Sequence, residues 1–147
     1  MFGIFKEKMK GAASRMSGRT DLLEATCAAC ALTASADGDI KDNEVTAMIE
    51  GLTNHPTLSA AFKPSQIEQC ADGMLKRAKG GLMGRRGLQK EIEQAVGKST
   101  SDDLELILCI AIDLARADGE GVGAEEMKVL GGIATTLRLD LRSYLNA

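Results

Sequence analysis

Tryptophan is missing from this chain of 147 residues, and aromatic side chains of any kind make up only 3% of it. Any core therefore has to be aliphatic, packed with Ala, Leu, Ile and Met. Small side chains of that sort let helices approach closely. Proline is nearly missing too, at Pro56 and Pro64 alone. Alternating β-branched patterns are absent almost everywhere, which speaks against strands and for helices. No run approaches the ~18 to 20 apolar residues of a membrane span. The N-terminus has no continuous apolar stretch of the secretory kind. The formal charge is only -3, so no global field draws the chain to nucleic acid. One histidine, His55, beside Pro56, is a weak ligand or base candidate. No Ser/His/Asp or Cys/His arrangement stands out for nucleophilic catalysis.

What is present is a chain 44% hydrophobic, enough for one compact domain of this length. Residues 1–19 read as an N-terminal amphipathic segment and 20–147 as a helical domain. In the first, Phe2, Ile4, Phe5 and Met9 alternate with Lys6, Lys8, Lys10 and Arg15 over 2–16. Two readings stay open: a helix lying on an anionic membrane surface, or a terminal helix docking on the bundle. The second is favoured, because short basic termini commonly pack or fray.

Beyond Ser17-Gly18-Arg19, Thr20 or Asp21 is expected to cap a long helix, with Asp21 and Glu24 at capping-box spacing. From Leu22 to Leu32 that helix is apolar nearly all round, so it is predicted to be central. A helix is expected over 42–54, a short turn at Leu58 to Phe62, and another helix opened by Pro64. Gly84-Arg85-Arg86-Gly87 reads as a break before a helix over 88–96. Thr100 with Asp103 offers a further capping box. The stretch 104–117 is a second all-round apolar helix, followed by an amphipathic one from Met127 to Leu137 and a last turn at Leu141 to Leu145.

Two acidic turns organise this plan. Ala36-Asp37-Gly38-Asp39-Ile40 leads to Glu44, and Ala117-Asp118-Gly119-Glu120 leads to Glu125 and Glu126. Each follows an apolar helix and precedes an amphipathic one. The turn starts align at an offset of 81, but Ile40 with Val122 and Glu44 with Glu126 need 82. The second turn thus carries one extra residue, and Glu125 and Glu126 remain rival equivalents of Glu44. Paired acidic turns could supply the oxygen ligands that a hard divalent cation takes. The spacing is not that of an EF-hand. The competing reading is that acids ahead of a helix merely stabilise its N-terminus, with Asp39 as a candidate N-cap.

The cysteines, Cys27, Cys30, Cys70 and Cys109, all fall in apolar helical patterns. They read as reduced, buried thiols of a cytosolic protein. Cys27 and Cys30 have C-x-x-C spacing, but inside a helix and without the strand that a redox motif follows. Asp113 is expected to pair with Arg116. Lys76, Arg77, Lys79, Arg85, Arg86 and Lys90 make the middle of the chain basic. Without interleaved aromatics for base stacking, this is a partner-facing or solvated surface.

The two turns, the stretch Ala115-Arg116-Ala117-Asp118-Gly119, the Lys-rich start and the end Leu137-Arg138-Leu139-Asp140 together resemble the TerB family of tellurite-resistance proteins. The resemblance implies an all-α, single-domain bundle of about seven helices with internal pseudo-twofold symmetry. It implies cytoplasmic residence, a non-enzymatic role in tellurite resistance and related stress responses, and protein partners among other tellurite-resistance proteins. Peripheral contact with the inner membrane face belongs to the same expectation. It also implies a divalent-metal site, for Ca2+ or Mg2+, at Asp37, Asp39, Glu44, Asp118, Glu120 and Glu126.

Overall fold

The computed structural model describes residues 11–117 and 121–145. The expectations for residues 2–10, and those for Asp118 and Glu120, lie outside the described residues. Everything described is helix, turn or loop, with no strand among those residues. The helices are α1 (Ala12–Met16), α2 (Thr20–Ala34), α3 (Asp42–Asn54), α4 (Pro56–Ala61), α5 (Pro64–Lys79), α6 (Gly81–Val96), α7 (Ser101–Ala115), α8 (Ala124–Thr136) and α9 (Leu141–Leu145). The bundle is all-α, with nine described helices rather than about seven. Three of the nine are short pieces: α1, α4 and α9 have five or six residues each.

α2 is the axis. Ten of its fifteen residues are buried, from Leu22 through Thr33. It packs against α5, α6, α7 and α8. Ala25, Cys27, Ala28, Ala29 and Ala31 have no exposure at all, and small side chains there let neighbours come close on every side. Buried Thr26 and Thr33 do not break the pattern. Each hydroxyl donates to its own helix, to the Leu22 carbonyl at 2.7 Å and the Ala29 carbonyl at 2.8 Å, so no polar atom is stranded. α7 is the second buried helix, with Leu104, Leu106 and Ile107 to Ile112 in the core.

The entry to α2 differs from the expected capping box. Its N-cap is Arg19, whose guanidinium donates to Asp21 at 3.0 and 2.9 Å. That fork, more than any backbone bond, holds the Asp21 carboxyl below its usual range. Arg19 and Arg15 also converge on Asp103, 6% exposed, at 3.6 and 3.5 Å. Asp103 therefore does not reach back to its own N-cap. Only half of the second predicted box forms, the Asp103 amide donating to Thr100 Oγ1 at 3.3 Å. With Ala12 and Met16 fully buried, the core already begins before residue 20. No described helix is long and apolar enough to cross a membrane.

The predicted break at Gly84-Arg85-Arg86-Gly87 is helix. α6 runs without interruption from Gly81, which itself takes φ +76° at the corner after α5. The two glycines serve close approach instead. A Cβ on Gly84 would stand 1.8 Å from the Arg77 carbonyl oxygen, and one on Gly87 2.7 Å from Arg77 Nη2. Arg77 lies in this α5–α6 contact and donates to Glu91 at 3.1 Å. Lys76 and Lys79 pair with Asp72 and Asp42 at 3.0 and 3.7 Å. The basic stretch is thus a helical hairpin with three of its cations paired.

Two glycine substitutions separate these roles. Gly84→Ala drives a methyl into backbone and is expected to cost about 3 kcal/mol or more, the upper end for overpacking. Gly73→Ala, exposed in α5 with nothing within 4 Å of its added Cβ, should stabilise by about 0.5–1 kcal/mol. Urea denaturation midpoints of the two variants against the parent check both signs.

Candidate functional site

The ends of α2 and α7 lie together, with the first acidic turn and the described flanks of the second, Ala117 and Gly123, around one cavity. The first is set by local bonds. The Gly38 amide donates to the Ser35 carbonyl at 2.9 Å, and Gly38 takes φ +93°, a conformation that favours glycine. The Asp39 amide donates to Asp37 Oδ1 at 3.2 Å. Ile40, 6% exposed, anchors the turn in the core. Lys41 is then the N-cap of α3. Asp39 is therefore not the cap, because it stands three residues ahead of the helix.

The second turn reaches its helix by an equivalent device. Gly121 takes φ +81°, half-buried Val122 packs on the core, and Gly123 is the N-cap of α8. The caps settle the register between the copies. The Lys41 amide donates to Glu44 Oε1 at 3.1 Å, and the Gly123 amide donates to Glu126 Oε1 at 3.1 Å. Glu126 is thus the counterpart of Glu44, both three residues into their helices. Glu125 makes no cap bond and pairs instead with Lys128 at 3.5 Å.

Between the turns lies a cavity of about 600 Å³. Its walls carry Asp37 and Glu44 from the first copy and Glu125 and Glu126 from the second. Its floor is apolar, with Met48, Leu114 and Ala111 among the residues there. Gly51 keeps α3 close to α7 behind it; a Cβ there would lie 2.8 Å from Leu114 Cδ1. Of the six sequence-chosen ligands, the structure brings Asp37, Glu44 and Glu126 to the cavity. Asp39 is exposed and does not line it. Among the described residues, no three or more His, Cys, Asp or Glu side chains are grouped closely enough to hold a metal ion.

Two neighbours of the cavity were not legible in the sequence. Asp113 does not pair with Arg116. Its Oδ2 accepts from His55 Nε2 at 3.0 Å, and Arg116 donates to the Leu145 carbonyl. The Thr57 amide donates to His55 Nδ1 at 3.3 Å, so Nε2 carries the proton in this arrangement. His55 is a tie between the α3–α4 corner and α7, with both ring nitrogens engaged. No spacing rule links residues 58 apart in sequence. The second neighbour is Cys30, which lines the cavity at 3% exposure. Burial, and then the charge of Asp113, push its thiol up to about 12, which makes it an inert packing group. Its C-x-x-C partner Cys27 does not line the cavity and is fully buried.

The arrangement is an all-oxygen, anionic pair of lips over an apolar floor, each lip fixed by a helix cap. No curated protein and no solved structure matches the chain. A family model does: the one described as "Tellurite resistance protein TerB" matches residues 23–147, from the first turn of α2 to the C-terminus. With nearly the whole length matched and the helical architecture in agreement, the chain belongs to the TerB family of tellurite-resistance proteins.

Proposed function

We propose that this TerB-family protein is a non-enzymatic, divalent-cation-dependent interaction module of tellurite resistance and related stress responses. One observation carries the reading: carboxylates from both copies of the repeat line one cavity. The donors are all carboxylate oxygens, the chemistry that Ca2+ or Mg2+ takes. Each cap uses one oxygen of Glu44 and of Glu126, and a carboxylate has a second to offer. Asp37 would join them from the first turn, with Asp118 and Glu120 from the second. A bound ion would offset repulsion between the lips and draw the two halves together. It would thereby couple ion binding to the shape of the surface that partners, other tellurite-resistance proteins or an anionic membrane face, would meet.

The hydrogen bonds of Glu44 and Glu126 favour a second reading, in which the acids act only as caps. Gln preserves a capping-box acceptor and removes the charge, so it separates the two. Glu44→Gln and Glu126→Gln are expected to leave the ion-free protein within about 0.5 kcal/mol of the parent. They should abolish the rise in melting temperature that millimolar CaCl2 or MgCl2 gives the parent and EDTA removes. An ion at about 100 times its Kd stabilises by roughly 2.7 kcal/mol, readily seen in a melt. No heat in calorimetry and no shift with Ca2+, Mg2+ or Zn2+ would leave only the capping role.

The caps also predict an asymmetry within the second copy. In EDTA, Glu126→Ala loses its bond to Gly123 and should cost about 0.3–1.5 kcal/mol. Glu125→Ala, whose exposed partner is Lys128, should stay within about 0.5 kcal/mol of the parent. Denaturant midpoints of the two variants read the difference directly.

A further inference from the structure

Leu82 and Met83, 67% and 78% exposed, are the only large apolar side chains among the described residues that stand in solvent. They open α6, just after the Gly80-Gly81 corner that ends α5. Leu82, Met83, Arg86 and Lys90 share the helix face opposite buried Leu88, Ile92 and Ala95. Arg85 flanks them, half-buried. Among the described residues Arg85, Arg86 and Lys90 have no ion-pair partner, and the chain holds no acid between Asp72 and Glu91. α6 also begins without an acid in its first turn and without a side-chain cap, so the positive end of its dipole adds to the field. The corner is held in place before anything meets it, since Gly84 sits against the Arg77 backbone with no room for a methyl group.

The neighbouring surface has the opposite chemistry. Lys79 Nζ reaches Asp42 Oδ1 at 3.7 Å. That pair sets the corner beside the first acidic turn, two residues from Glu44 at the cavity wall. An apolar tip among cations and an apolar-floored cavity among carboxylates therefore lie close together. The tip does not fill its own cavity, because no residue from 76 to 90 lines it.

We propose that a second copy of this chain covers both features, in a twofold dimer in which Leu82 and Met83 of each copy enter the acidic cavity of the other. Arg85 and Arg86 then meet the carboxylates at the cavity wall. A twofold axis makes every contact twice, and neighbouring patches of opposite sign are self-complementary under it. Leu82 and Met83 leave water for a floor of Met48, Leu114 and Ala111. The guanidinium forks suit carboxylate oxygens. An anionic bilayer fits the corner less well, because the exposed acids of the first turn, Asp37, Asp39 and Asp42, stand beside it and would be repelled. The inference does not rest on the cation reading. Its test runs in EDTA, so a dimer without an ion and an ion without a dimer are told apart.

Sedimentation velocity of the full chain at low salt, over rising concentration, is expected to show a monomer–dimer equilibrium that added salt weakens. Leu82→Ser with Met83→Ser should raise its Kd about tenfold or more. Arg85→Glu with Arg86→Glu should do the same by setting like charges against each other, and Asp37→Lys with Glu125→Lys by removing the attraction. An equimolar mixture of the two charge-reversed variants should associate more tightly than either alone, since it restores a basic corner facing an acidic cavity. A monomer at every concentration, a dimer that these substitutions leave unchanged, assemblies that grow beyond the dimer, or a mixture no tighter than its components would each overturn the proposal. Binding to phosphatidylglycerol vesicles by a chain that stays monomeric in solution would overturn it too, and would assign the corner to a membrane. Circular dichroism of every variant confirms that folded proteins are being compared.

Discussion

Everything in this bundle depends on one helix being surrounded. α2 gives up nearly its whole circumference to other helices, which is possible only because Ala, Cys and Thr dominate its middle. Larger side chains there would push the neighbours apart, and dense packing tolerates little change of volume. Removing all that surface from water supplies the driving force, while the two threonines keep their hydroxyls satisfied within the helix. The same economy of side-chain volume recurs at Gly84, where a methyl group would collide with the Arg77 backbone; at Gly51 and Gly87 it would meet only the ends of the Leu114 and Arg77 side chains.

The ends of α2 and α7 line one cavity, and the outer helices that follow, α3 and α8, begin with amides that need acceptors. Glu44 and Glu126 meet that need identically. Local helix chemistry, applied twice, thus leaves acidic side chains facing one cavity. Fold stability and any ion response would be linked through the same two carboxylates.

The elements that could be read from residue order are those set by local rules. Gly38 of the first acidic turn, Pro64 at the start of α5, Thr100 before α7 and the all-round apolar runs of α2 and α7 act within a few residues of themselves. What misled was local in appearance and tertiary in cause. Gly84 and Gly87 look like helix breakers; their real constraint is the Arg77 backbone and guanidinium, brought near by the hairpin. Asp21 stands at capping-box spacing with Glu24, yet a charged fork from Arg19 is the stronger partner. Asp113 stands three residues before Arg116, yet His55 captures it. Of the six acids proposed from the turns, position in the sequence did not distinguish Asp39, which faces solvent, from Asp37, which lines the cavity.

Sequence alone determined the helical class, the central place of α2 and α7, the duplicated acidic turn and the likeness to TerB proteins, since periodicity, composition and short-range turn chemistry depend on neighbours along the chain. Only the tertiary structure decided that Glu126 rather than Glu125 answers to Glu44, that Asp37 and Glu44 of one copy and Glu126 of the other line one cavity, and that Cys30 lines that cavity while Cys70 lines another. Those are questions of which helix face meets which, and the answer lies in the packing of side chains far apart in sequence.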